Sequence, residues 1–224
     1  MFEGFTPQTS NFLWELAFNN ERPWFLAHKE EFERVLNTPF KALAADTAEL
    51  MARRLPRRSF RLHVSRIYRD ARRLFGRGPY KDHLWFTLKD NDILLEGPCF
   101  WFELGAADYS YGMGFYSATA AQMAAFRRKV DANPARFERL AKSVMKTGFA
   151  VTGEEYARPK GHRSQIIDQW YNRKRLGLEI SRDFGGEVLS SELPVLLADS
   201  FEKLLPMYDF FMEVYLEEPG SNRK

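Results

Sequence analysis

Apolar residues recur at helical spacing through the opening segments, then switch to strict alternation at Phe60, and that change of period divides the chain. Phe12, Leu13, Leu16 and Ala17 predict a helix that opens near Thr9 or Ser10 and stops at Asn19-Asn20. A second helix follows, with Pro23 in its first turn, an apolar face from Trp24 and Phe25 to Phe32 and Val35, and Asn37 as its close. Thr38-Pro39 repeats the cap-plus-proline signal for a third helix, with Phe40, Leu43, Thr47, Leu50 and Met51 inward and Pro56 at its end.

Phe60, Leu62 and Val64 alternate with Arg61, His63 and Ser65, the pattern of a strand with one wet face. Arg66 falls on the apolar parity, so the strand ends or bulges there, or a guanidinium turns inward and needs an anion. Further strands are expected at Leu84 to Leu88, Ile93 to Glu96, Cys99 to Leu104 and Tyr109 to Tyr116, as an antiparallel meander. Helical spacing returns after Ser117 and again after Asn133-Pro134. A short strand near Phe149 to Val151, a helix through Ile166 to Trp170 and a strand near Leu178 to Ser181 come next. A terminal helix from about Ser191, kinked at Pro206, completes the pattern. Helices, then strands, then helices predict an α+β fold, taken as a single domain over 1–218 with a frayed tail at 219–224.

Composition changes this picture mainly through charge. The window Arg53 to Lys81 holds ten Arg, one Lys and one Asp, a net of +10, whereas the whole chain carries +3, so the remaining residues sum to −7. A core does not need such an asymmetry, because buried unpaired charge is costly and solvated faces mix signs. At 45% hydrophobic and 28% charged residues the chain is an ordinary globular protein rather than a disordered one. The single cysteine, Cys99, excludes an internal disulfide and a Cys-cluster metal centre. The opening Met1-Phe2-Glu3-Gly4 lacks an export-signal pattern, and no apolar run approaches the roughly 18–20 residues of a membrane span. The expectation is a cytoplasmic protein without a membrane partner.

The run Arg66-Ile67-Tyr68-Arg69-Asp70-Ala71-Arg72, followed by Pro79-Tyr80-Lys81, resembles a bacterial family known only as a conserved domain of unknown function. Asn19-Asn20-Glu21-Arg22-Pro23-Trp24-Phe25 with His28-Lys29 is similar to that family's start. Gly112-Met113-Gly114-Phe115-Tyr116, Arg158-Pro159-Lys160-Gly161 and Lys174 extend the resemblance over nearly the whole chain. Two positions depart from it: Arg73 stands where the family has Phe, and Gly76-Arg77 where it has an acidic or Asn residue and then Lys. The resemblance implies a shared fold and a shared site, and brings no activity, cofactor or catalytic residue.

Arg66, Arg69 and Arg72 recur every third residue, and guanidinium forks converging on one point match phosphate or carboxylate oxygens. The candidate binding residues are Arg66, Arg69, Asp70, Arg72, Tyr80 and Lys81, with Asp70 and Tyr80 as orienting groups. The competing reading is an internal ion network in which Asp70 and acids such as Glu21, Glu30 or Asp82 neutralise the arginines. Gly76-Arg77-Gly78-Pro79-Tyr80-Lys81 reads as a turn or as a phosphate cradle, but it is no P-loop. Tyr109, Tyr111, Phe115 and Tyr116 around Gly112-x-Gly114 read as core or as a stacking floor for a ring, and not as a dinucleotide fingerprint. No cofactor motif is present.

The four histidines, His28, His63, His83 and His162, make no ligand pair at regular spacing, so no metal is assigned. An assembly from distant parts, such as His63 and His83 with Asp90 or Asp92, stays open. His28 and His83 are candidate proton carriers beside the basic site. Three functions remain: a module binding a nucleotide or a nucleic-acid backbone, an enzyme acting on a small phosphate or carboxylate substrate, and an interaction protein whose arginines serve the fold.

Overall fold

Helix α1 (Pro7–Phe18) starts a turn earlier than its apolar spacing suggests. Pro7 occupies its first position and the Thr6 amide donates to Thr9 Oγ1 at 3.3 Å. The computed structural model describes residues 1–70, 72, 74, 76–91, 93 and 97–218. Of the expected strand at Ile93 to Glu96, residues 94–96 lie outside this set, as do Arg73, Asp92 and the tail at 219–224.

The expected second helix is divided at His28, giving α2 (Arg22–Ala27) and α3 (Lys29–Phe32). The cause is local. His28 stacks on Trp24 with centroids 4.1 Å apart, and its Nδ1 lies 2.8 Å from the Trp24 carbonyl. A carbonyl only accepts, so Nδ1 carries the hydrogen, and the side chain competes with the helix for that oxygen.

The stop expected at Asn37 is absent. The chain runs through a π-helical turn (Glu33–Asn37) straight into α4 (Thr38–Arg54). Pro39 has no N–H to give the carbonyl four residues back, that of Val35. Thr9 Oγ1 donates to that oxygen at 2.7 Å, which ties α1 to the turn.

Six strands, β1 (Phe60–Val64), β2 (His83–Asp90), β3 (Pro98–Gly105), β4 (Asp108–Phe115), β5 (Ala150–Thr152) and β6 (Gly177–Asp183), form one antiparallel sheet in the order β1-β2-β3-β4-β6-β5. The first four make a meander in which β2 pairs directly with β3, and Ile93, expected to open a strand between them, is not in one. β6 then lies beside β4, with β5 outside it, Ala150 opposite Glu179. Helices α5 (Ala120–Ala132), α6 (Pro134–Met145) and α7 (Gln165–Tyr171) and the long α8 (Leu193–Glu217), which continues across Pro206, complete an α+β fold. Among the described residues no helix is long and apolar enough to cross a membrane.

The chain divides into two compact units, one of Met1–Leu88, Trp101–Tyr111 and Ser181–Ala198, the other of Lys89–Phe100, Gly112–Ile180 and Asp199–Lys224. The first has an aromatic core in which Phe86 stacks on Phe102 at 5.6 Å and Phe40 lies 6.0 Å from each. In the second, Phe100 stacks between Phe201 and Tyr208 at 5.0 and 4.6 Å, and Phe126 meets Phe137 edge-on at 5.4 Å. Such rings contribute beyond the area they bury, by about 0.5–1.5 kcal/mol per pair.

Candidate functional site

The candidate site is the connection between β1 and β2, and it arises from a break in their pairing. The Ser65 amide donates to the Trp85 carbonyl at 2.8 Å, and the Trp85 amide returns the bond to Ser65 Oγ at 2.9 Å. Further along, Tyr68 lies opposite Tyr80 in an isolated antiparallel bridge, flanked by Arg69 N–H to Pro79 O and Lys81 N–H to Ile67 O. Three steps from Ser65 to Tyr68 thus face five from Tyr80 to Trp85. The ladder skips the Arg66 carbonyl, and the Lys81 ammonium supplies the missing donor at 2.6 Å. The strand therefore ends before Arg66, whose side chain is exposed rather than buried.

Arg69 pins the other side. Its Nε donates to the Tyr80 carbonyl at 2.6 Å and its terminal nitrogen to Asp82 Oδ1 at 3.3 Å, with the side chain 15% exposed. The same Asp82 oxygen lies 2.9 Å from His83 Nδ1. Burial alone would push the Asp82 carboxyl up, but the His83 hydrogen bond, a backbone donor and the Arg69 charge hold it below its ordinary value. Tyr80 is buried and stacks on Phe25 at 4.1 Å, so it orients Arg69 through its carbonyl while its ring belongs to the core. Burial, then the nearby Tyr68 phenol, raise the Tyr80 hydroxyl, and Arg22 partly opposes them.

Asp70 orients one arginine, Arg72, by accepting from its amide at 3.0 Å, its Nε at 3.0 Å and its terminal nitrogen at 2.8 Å. The Arg72 side chain of that pair is 87% exposed, so the pair is solvated and screened. Arg66, Arg69 and Lys81 are brought together. Burial first, then the charges of Arg69 and Arg66, hold the Lys81 ammonium below its ordinary range. Neither Glu21 nor Glu30 pairs with these arginines among the described residues, and Arg66 has no carboxylate partner there. Between Arg66 and Asp82 five described cations face two carboxylates.

The glycine-rich loop forms a turn, with Arg77 N–H on Leu74 O at 2.8 Å and Gly76 at φ +79°. Tyr109, Tyr111 and Phe115 are buried and only Tyr116 stands out, at 80% exposed, so these residues form core rather than a stacking floor. Gly112 and Gly114 are needed for close approach, because a Cβ would lie 1.8 Å from Leu178 O and 2.4 Å from Leu176 O respectively. Burial pushes the Cys99 thiol up to about 11, which makes it unreactive at neutral pH. The exposed His63 lies tilted against Trp85 at 5.2 Å, and His28 stacks on Trp24.

Charge pattern alone missed three participants. Asn20 holds the Tyr80 backbone, Arg22 lies close enough to act on the Tyr80 phenol, and Trp85 has Lys81 Nζ 5.8 Å from its ring centre. The opening Asn-Asn-Glu-Arg-Pro-Trp-Phe stretch was the signal for the first two. No curated protein matches the chain. Residues 8–210, however, match the family described as conserved hypothetical protein (DUF2461), and the chain belongs to that family.

Proposed function

We propose that the chain is a cytoplasmic binding module for a phosphate-bearing ligand, a nucleotide or a nucleic-acid backbone, held by Arg66, Arg69 and Lys81 with Arg72 exchanging from Asp70. One observation carries this reading: the Lys81 ammonium, bonded to the Arg66 carbonyl, is destabilised by burial and by two neighbouring guanidinium groups, of which that of Arg69 is held by the Tyr80 carbonyl. A network serving the fold alone gains nothing from that repulsion, whereas an entering anion relieves it. Arg66 offers a complete fork, and Lys81 uses one of its three donors on the Arg66 carbonyl.

The test is thermal unfolding of wild type and Arg66→Ala with phosphate, nucleotides, dicarboxylates and oligonucleotides at two salt concentrations. A ligand at about 100 times Kd adds about 2.7 kcal/mol, a midpoint rise of about 5–10 °C for a chain of this size. The variant keeps the unliganded midpoint and loses the rise. A rise with oligonucleotides that collapses in salt identifies a backbone ligand. The reading fails if no anion raises the midpoint, or if Arg66→Ala responds as wild type does.

A second reading rests on the Asp82–His83 hydrogen bond of 2.9 Å. A carboxylate holding Nδ1 leaves Nε2 as a base beside cations that would stabilise developing negative charge, the arrangement of an enzyme acting on a small phosphate. Turnover of a p-nitrophenyl phosphate ester, abolished by His83→Ala, would favour it. Absence of turnover leaves the binding module.

A further inference from the structure

Arg158-Pro159-Lys160-Gly161 lies far along the chain from the Arg66 site, and its surroundings account for charge in a different way. Among the nearby cations, Arg163 Nε donates to Asp131 Oδ1 at 2.8 Å, and the Tyr171 hydroxyl takes Asp131 Oδ2 at 2.7 Å. Arg173 pairs with Glu155 at 3.0 Å, Lys174 pairs with Glu154, and His162 lies 3.6 Å from Asp168. The carboxylates are thereby occupied. Arg158 and Lys160 have no carboxylate partner among the described residues, and Arg127 makes no ion pair there, although its charge helps to lower Asp131.

Two of these three share one ring. The Arg127 guanidinium carbon stands 5.5 Å and Lys160 Nζ 4.5 Å from the centre of Tyr156, so the two charges lie within about 10 Å of each other. Apart from the rings of Tyr156 and Tyr171, Arg127 has a long bond of 3.4 Å to the Tyr171 carbonyl.

The loop is also held rigid. Asn172 Oδ1 accepts from the amides of Lys160 at 2.7 Å and Gly161 at 3.3 Å, and its Nδ2 donates to Gly161 O at 3.1 Å. The Tyr156 amide donates to Asn172 O at 2.9 Å, and Lys174 N–H to Glu154 O at 2.7 Å. A solvated surface loop needs no such clamp, and a loop tip bearing only cations gains no stability from being held. Fixing like charges around one ring is useful when an anion is to be received, because the ordering is complete before it arrives.

We infer that Arg127 and Lys160 around Tyr156, with the exposed Arg158 on the loop that carries Lys160, form a second anion site, for a phosphate or diphosphate group bridging the cations. Both cations that face the Tyr156 ring compete with any stacked base, so the group recognised is the phosphate itself. This site does not depend on the one at Arg66.

The test is a titration of the full chain with inorganic pyrophosphate, followed by amide NMR, against sodium chloride at matched ionic strength. Saturable shifts at Tyr156, Lys160 and Gly161 are expected, absent in chloride and persisting in Arg66→Ala. The exposed pair Arg158→Ala/Lys160→Ala should weaken binding read at Tyr156 and Gly161 by about tenfold per cation, the equivalent of about 1.4 kcal/mol each. Arg127→Met, which keeps the stem, should act likewise. Shifts that match the chloride control, or that survive unchanged in the double variant, overturn the inference.

Discussion

Asn20 grips the backbone of Tyr80 at both ends, its Nδ2 donating to the Tyr80 carbonyl at 3.0 Å and its Oδ1 accepting from the Tyr80 amide at 2.9 Å. Gly78 makes room for that grip, since a Cβ there would fall 2.3 Å from Asn20 Oδ1. The residue between α1 and α2 therefore sets the position of the chain that carries Lys81. Asn20→Ala leaves the partly buried Tyr80 amide unmet, while the carbonyl keeps its bond from Arg69 Nε, and a loss of about 1–3 kcal/mol is expected in urea unfolding. Asn20→Asp keeps the acceptor and loses the donor, so it should fall between. A variant as stable as wild type would show that the grip contributes nothing.

Arg69 and Arg66 are spaced alike in the motif but differ in what they hold. Arg69→Ala removes the bonds to Tyr80 O and Asp82 and should cost about 2–3 kcal/mol, with the midpoint falling by about 5–10 °C. Arg69→Lys should recover little, because an ammonium cannot reproduce the fork. Arg66→Ala should stay within about 0.5 kcal/mol of wild type. Equal stability of the two alanine variants would contradict this division of roles.

Much of this was legible in the residues because it is local. The alternation of Phe60, Leu62 and Val64 reports β1, and the misplaced parity of Arg66 reports the break in its ladder. The concentration of arginines points to the site, and the resemblance joins the Asn20 stretch to Pro79-Tyr80-Lys81. What escaped depends on partners distant in sequence. Asn37-Thr38-Pro39 carries a stop signal, yet the helix continues, because the hydroxyl of Thr9 satisfies the carbonyl that Pro39 leaves open. No spacing rule states that β6 comes to lie beside β4, so a ligand floor stayed open beside the core reading of the glycines there.

That juxtaposition makes Gly112 a sharp test. Its missing Cβ would sit 1.8 Å from the Leu178 carbonyl, which is backbone and cannot rotate away. Gly112→Ala should lose more than about 3 kcal/mol or fail to fold. Gly105→Ala meets first the flexible Asp108 Oδ1, at 2.9 Å, and should be mild by comparison. Soluble yield and urea midpoints of the two variants measure the difference, and comparable values would place β4 and β6 further apart than they are here.

The acid limb of stability should trace to carboxylates that hold cations or phenols. Asp131 is kept below its ordinary value first by the Arg163 hydrogen bond and then, against burial, by the Tyr171 hydroxyl. Glu213 is lowered chiefly by Arg136, and Glu187 chiefly by the Tyr109 hydroxyl. In each the folded pKa lies below the unfolded one, with ordinary values of 3.8 for Asp and 4.5 for Glu. The unfolded chain therefore binds more protons between the two, and stability rises with pH across that window. The contribution is complete above the unfolded pKa and is lost as pH falls through the folded pKa. Urea midpoints should hold from pH 7 to about 5 and decline below about 4.5. Asp131→Asn should shallow that decline by no more than about 1 kcal/mol, because the pair is partly exposed and screened. Tyr171→Phe, which removes one of the donors, should give a smaller effect in the same direction. A wild type with a flat profile from pH 5 to 3, or an Asp131→Asn variant with an unaltered slope, would remove these pairs from the account of acid stability.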